Sequence, residues 1–358
     1  MSAKPARTVR FLIGAFCSLA FACNDYAPIV PQEGLPPVAQ GMAMAFMPSI
    51  DRVVLFGGTF RLDYAGDELF GRLTEEEVSA ETWTWHHDEG WSRLDIPGPT
   101  GRIHAAMAYD PIRDVLVLLG GVAPPGPDCP DVGVCQDLWT FDGEAWSRGP
   151  RRPEHARFRH LMAWSPPDEA FLVSGGWRDD GREAPLGAAF LFPDRWQPGP
   201  EAPSLWGLEG ASMVWDAKRQ AMLLMDGRIL QRGRAAFGGG GPAFNRGVFA
   251  WVDPQWELLH LTNGSERSHS SMFYDPSLER VMNFAGLDDS YAGSGEFVSL
   301  EATGFEPLGV DAPPARWDAA VAYDSVHERA VLFGGHGDSP YGPLQDTWVW
   351  QGTTWSER

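Results

Sequence analysis

"AYDPIRDVLVLLGG" (residues 108–121) and "AYDSVHERAVLFGG" (residues 322–335) are nearly the same fourteen residues, written twice and more than two hundred positions apart. Each runs from a small residue and Tyr through an Asp-led turn and an aliphatic stretch to a Gly pair. The Gly pairs fall at Gly57-Gly58, Gly120-Gly121, Gly175-Gly176 and Gly334-Gly335, with degenerate versions at Asp226-Gly227 and Ala285-Gly286. Neighbouring pairs lie 49 to 63 residues apart. Self-similarity at a period near fifty is the mark of a repeat architecture.

Working outward from the pair, every unit contains four strand-sized pieces. The first is small and apolar and ends in an aromatic, as in "HAAMAY" (104–109), "SHSSMFY" (268–274) and "DAAVAY" (318–323). An Asp- or Pro-rich turn follows. The second is aliphatic and runs into the Gly pair. After a loop of variable length, the third sets aromatics two apart: "TWTW" (82–85), "LWTF" (138–141), "VFAW" (248–251) and "TWVW" (347–350). The fourth opens on an aromatic: Trp91, Trp146, Trp196, Trp256, Phe305 or Trp355.

Residues two apart on a strand share one face of a sheet. A single four-stranded sheet cannot bury apolar residues on both faces. Sheets stacked around an axis can, each covering its neighbours. Space is tightest at the axis, where the first strand is written in Ala, Ser and Gly. Towards the rim the sheets splay and need indoles. The expectation is an all-β, six-bladed β-propeller of four-stranded antiparallel blades, at about 41–96, 101–150, 156–203, 207–264, 266–312 and 315–358. Blades 4 and 5, which have lost the Gly pair, are expected to be the least regular.

The segments "MAYDPIRDVLVLLGG", "DLWTFDGEAW", "AVLFGG" and "DTWVWQGTTW" resemble the bacterial kelch repeat, of the branch related to the central domain of galactose oxidase. The resemblance covers residues 41–358. It implies a kelch-type propeller. It does not bring galactose oxidase chemistry, which needs a free Cys cross-linked to a Tyr at copper; no such Cys is left here.

The 358 residues carry a net charge of −20, which repels phosphate backbones and argues against nucleic acid as a partner. Lys4, Arg7 and Arg10 precede the apolar run "FLIGAFCSLAFA" (11–22), which ends in a small-x-small site before Cys23. That is the form of an export signal over 1–22. "LAFAC" resembles a lipobox, so Cys23 is the expected lipid attachment point of a cell-envelope lipoprotein, in the periplasm or on the outer membrane. Residues 23–40 read as a Pro-rich tether, with Tyr26–Val30 an alternative edge strand. Cys129 and Cys135, six apart in one loop of an oxidising compartment, are expected to pair as a disulfide.

Long insertions at 59–80, 122–136 and 228–246 all follow second strands, which places them on one face and marks it for recognition. Trp177, Trp206 and Trp317 map to that face, as platforms for a sugar ring or a protein partner or as plugs of the channel mouth. A cationic column, Arg102, Arg157, Arg267 and Arg316 with Arg159 beside it, precedes the first strands, and His104, His269 and Glu209 lie close by. It could take a carboxylate or sulfate ligand, but Arg followed by His here belongs to the bacterial kelch pattern, and the expected role is structural, pairing with loop acids and the next blade. Arg159 and Trp317 depart from the repeat and are the stronger candidates. Asp128, Asp131, Asp137, Asp179, Asp180, Asp288 and Asp289 read as solvated turns rather than a calcium site. No metal, no cofactor and no catalytic residue is expected.

The sequence thus reads as an exported, lipid-anchored module that binds a protein or glycan on its long-loop face, before it reads as an enzyme. The enzymatic alternative is a carbohydrate-active protein of the kelch sialic acid mutarotase or epimerase type.

Overall fold

The structure, a computed structural model, describes residues 32–38, 40–60, 73–130, 133–151, 156–178, 187–201, 208–229, 243–245, 247–253, 255–261, 267–288, 290, 292–338 and 341–358. The signal segment, Cys23, Tyr26–Val30 and Trp206 lie outside them. Among the described residues there is no α-helix, and one 3-10 turn spans Pro48–Ile50.

The repeat folds as antiparallel four-stranded meanders. Blade 1 comprises Ala43–Met47, Arg52–Phe56, Thr82–His86 and Gly90–Leu94; blade 2, Ala106–Asp110, Val115–Leu119, Leu138–Phe141 and Trp146–Arg148. Blade 3 comprises Leu161–Ser165, Ala170–Ser174, Gly187–Leu191 and Trp196–Glu201; blade 4, Leu208–Asp216, Ala221–Ile229, Gly247–Val252 and Gln255–Leu261. Blade 5 comprises Ser271–Asp275, Arg280–Phe284, Phe297–Glu301 and Gly304–Pro307; blade 6, Ala320–Asp324, Arg329–Phe333, Thr347–Trp350 and Trp355–Glu357. In blades 2, 4, 5 and 6 the Asp that ends the first strand sets the first hairpin. Asp110, Asp216, Asp275 and Asp324 each accept the backbone N–H groups two and three residues on, the Asx-turn bond that makes Asp a turn former.

Six apolar cores lie between consecutive sheets. Met47, Val54 and Phe56 of blade 1 pack with Leu116, Leu118 and Phe141 of blade 2, and the series continues through blades 2–3, 3–4, 4–5 and 5–6. The sixth core joins Phe46, Leu55, Trp83 and Trp85 of blade 1 to Val331, Phe333 and Val349 of blade 6. The first strands touch in the same cyclic order, the last returning to the first. A small three-stranded sheet, Arg316–Trp317, His336–Asp338 and Tyr341–Pro343, prolongs the first two strands of blade 6 beyond its Gly pair.

The rim indoles fill the wedges unequally. Trp85 and Trp350, the second members of their pairs, are 3% and 0% exposed; Trp139 and Trp348, first members, are half-buried. Trp350 donates to Asp275 of blade 5 at 2.9 Å. Trp146 of blade 2 donates to Thr82 of blade 1 at 2.9 Å, and Trp91 of blade 1 to Thr347 of blade 6 at 2.8 Å. Both threonines open a third strand, so the seam between the chain's ends is bonded like an interior joint. Among the described residues no strand is shared across it; Gln345 accepts from Gln32 N–H and donates to Pro36 carbonyl.

The expectation of irregularity needs correction at blade 5, which pairs without a register shift, whereas blades 3 and 4 each carry one. Ala285 takes φ 67° in place of the missing Gly, and Gly286 keeps φ 101°. The turn's shape therefore survives the substitution.

Candidate functional site

The Gly pair is the hinge on which the long-loop face is assembled. Gly120 has φ 63°, and a Cβ there would lie 2.2 Å from the Arg157 carbonyl; no side chain fits. The second Gly reaches the next blade: Gly58 N–H donates to Arg102 carbonyl, Gly121 to Arg157, Gly227 to Arg267 and Gly286 to Arg316, at 2.7–2.9 Å. Each of these arginines turns its guanidinium back to the doublet of its own blade: Arg102 to Gly120, Arg157 to Gly175, Arg267 to Ala285 and Arg316 to Gly334.

An acid two residues before the first aromatic of the third strand completes the rivet. Asp137 takes both terminal nitrogens of Arg102, at 2.6 and 2.9 Å, and Asp346 takes both of Arg316, at 2.7 Å each. Glu296 pairs with Arg267. The same acids accept from Trp139 and Trp348. Arg102, Arg157, Arg267 and Arg316 are 1%, 2%, 4% and 0% exposed. Of the two roles open to the column, the structure takes the structural one: the four guanidiniums are committed inside the blades rather than facing a ligand. Burial, and then the charge of Arg178, push Arg157 down to about 10. Asp137, expected in a solvated turn, is itself buried.

Two residues beyond these positions the chain forms a collar. Gly41, His104, Arg159, Gly210, His269 and Asp318 occupy equivalent places just before the six first strands, and all six have φ between 52° and 69°. His104 N–H donates to Gly41 carbonyl, Arg159 to His104, His269 to Gly210 and Asp318 to His269, at 2.6–3.1 Å. Blades 1, 2 and 3 are thus bonded head to tail at these residues, as are blades 4, 5 and 6. A Cβ on Gly210 would lie 2.6 Å from the His269 ring, and one on Gly41 would lie 3.3 Å from that of His104. Glycine in blades 1 and 4 makes room for the imidazole of blades 2 and 5.

The collar brings together residues singled out in the sequence. Arg159 Nη1 lies 3.4 Å from His269 Nε2. His104 is held well below the ordinary imidazole value by burial, then by the charges of Arg159 and His269. A neutral His104 imidazole beside the Arg159 guanidinium can help grip an anion and also accept or relay a proton. His160, next to Arg159, is buried with neither ring nitrogen hydrogen-bonded among the described residues. Burial and Arg157 hold it well below its ordinary value too.

Trp317 stacks on His336 with ring centroids 4.3 Å apart, both on the small sheet that rises from blade 6. Trp177 pairs with Phe158 and packs against a loop core of Leu73, Val78, Ile103, Val122, Val134 and Phe158. It is part of the scaffold of this face. Glu209 sits in the first strand of blade 4, opposite Arg228; its side chain is outside the described residues. Cys129 and Cys135 are joined in a disulfide. Asp128 pairs with Arg148, and Asp288 closes a turn on Ser290 and Ala292; Asp131, Asp179, Asp180 and Asp289 are outside the described residues. A groove of about 330 Å³ at the first hairpins of blades 4 and 5 is lined by Lys218, Arg219, Glu279 and Arg280 and includes none of the candidate residues.

The acids that hold Arg102 and Arg316 were visible as "DLW" (137–139) and "DTW" (346–348), a spacing the sequence reading did not use. The collar was visible only as an offset of two from the arginines.

No protein-family model and no curated protein matches the chain. Solved structures do. One titled "Structure of YjhT" aligns with a TM-score of 0.59 at 12% identity, covering 76% of this chain and 84% of that one. At that identity the likeness shows the fold, a kelch-type β-propeller.

Proposed function

We propose that the chain is an exported binding module of the cell envelope that takes a small carboxylate-bearing ligand, of the acidic-sugar class, at the collar. The observation that carries this reading is the convergence of His104, Arg159 and His269 at the channel mouth. Arg159 is the cation of the column whose place in the repeat aims it at the collar rather than into a blade. It supplies the fork for a carboxylate, the imidazoles take the neighbouring hydroxyls, and the Trp317–His336 stack offers a flat face for a sugar ring. Delivery by the 1–22 signal and anchoring through a lipid on Cys23 belong to the same proposal, supported by the sequence pattern alone.

The test is calorimetric titration of N-acetylneuraminate and of a neutral sugar into the wild type and into Arg159→Met. The acidic sugar should bind and the neutral one should not, and the substitution should weaken binding about tenfold or more, the worth of a charge-assisted bond. Equal affinity in both proteins would refute the assignment.

A second reading rests on the low proton affinity of His104. A neutral base beside a bound acidic sugar is equipped for ring opening and mutarotation. NMR of the anomers decides it: faster interconversion with wild type, lost in His104→Gln, makes the protein a catalyst; an unchanged rate leaves it a binder.

A further inference from the structure

A second cluster lies at the other end of the first strands, on the seam between the first and last blades. His86 ends the third strand of blade 1 and His87 follows it. Asp51 closes the first turn of the same blade. His327 and Asp324 come from the first turn of blade 6. The His87 ring lies 4.2 Å from that of His86 and 4.4 Å from that of His327, centroid to centroid. One ring nitrogen from each of the three falls within 4.8 Å of the others. Asp51 reaches both flanking rings, 3.5 Å from His86 Nε2 and 3.4 Å from His327 Nδ1. All three histidines are half-buried.

We propose that His86, His87 and His327, with Asp51, form a site for a divalent transition metal of the zinc class that clasps blade 1 to blade 6. Three imidazoles and one carboxylate are the donor set such an ion prefers. The supporting bonds are in place. Asp88 N–H donates to His86 Nδ1, leaving Nε2 for the ion. Asp324 Oδ2 lies 2.9 Å from His327 Nδ1 and orients that ring, as carboxylates do behind metal-bound histidines. His87 Nδ1 is buried and makes no hydrogen bond among the described residues. The surrounding charges favour a cation: Asp51, Asp88 and Asp324 face the cluster, and the one opposing cation among the described neighbours, Arg329, is drawn to Asp324 at 3.3 Å. The geometry also gives the ion a task. The ligands come from residues 51–87 and 327, so binding ties blade 1 to blade 6.

The experiment uses the full, untagged chain, dialysed against a chelator and titrated with zinc chloride at pH 7.5. One equivalent should bind, and the thermal midpoint should rise by a few degrees at saturating metal, since an ion that binds only the folded state stabilises it. His86→Ala and His327→Ala should each weaken binding by more than the roughly 10–100-fold that losing a ligand's hydrogen-bond partner costs. A zinc-soaked crystal of the wild type should show anomalous scattering between the two turns, a readout independent of whether the variants fold. Failure to bind zinc, affinity unaffected by both substitutions, or an ion located elsewhere would each overturn the proposal.

Discussion

Gly120 shows what a missing side chain secures. Its φ of 63° and the Arg157 carbonyl 2.2 Å from the place of a Cβ leave no room for a methyl group. Gly120→Ala should destabilise by about 3 kcal/mol or more, measured by urea unfolding, because strain and steric overlap add. Arg102 makes the complementary point. Arg102→Met leaves Asp137 buried without its partner and should cost about 3–5 kcal/mol, while pairing it with Asp137→Leu should recover much of that. The buried histidines set the response to acid. The unfolded chain takes up protons at imidazoles near 6.5, whereas folded His104 and His160 resist them until well below that value. The unfolded state then binds more protons, so their contribution is complete above about pH 6.5 and is lost as the pH falls towards their folded values. Urea midpoints should fall between pH 7 and 5, and His160→Gln should flatten that slope. A slope unchanged in the variant would show that His160 has no part in it.

At the scale of the strand, the repeat was legible because its physics is local. A Gly pair, an Asp turn and alternate aromatics each report one neighbour's needs, and these were readable at residues 108–121 and 322–335. What was not legible is which aromatic of a pair is the deep one. Alternation assigns a face but not a depth along the wedge, and the structure buries Trp350 fully while leaving Trp348 half-exposed. Trp350→Ala should therefore cost about 3–5 kcal/mol, and Trp348→Ala clearly less, by urea unfolding. The ligand role of the arginine column stayed open beside the structural one for a related reason. Its position was read correctly, but its direction depends on an acid some thirty residues downstream, a pairing that composition does not reveal. Arg159 was singled out because it breaks the repeat, and it is the arginine that joins the collar. The three-histidine cluster was not seen at all, since its members lie about 240 residues apart in sequence.

At the scale of the molecule, the ring joins its ends with the chemistry of its interior. Trp91 to Thr347 repeats Trp146 to Thr82, so Trp91→Phe and Trp146→Phe should lower stability by similar amounts, each about 1 kcal/mol for one hydrogen bond. A much larger loss for Trp91→Phe would mark the seam as a weak point rather than an ordinary joint. The acidic surface and the proposed ligand are then compatible: a protein of charge −20 repels anions in general, and the proposal has Arg159 meet one carboxylate beside His104 and His269. The most direct test is histidine-selective NMR of the full chain with N-acetylneuraminate added. The account predicts that the His104 and His269 resonances move while those of His86, His87 and His327 stay in place. Collar resonances that do not respond to the acidic sugar would contradict it.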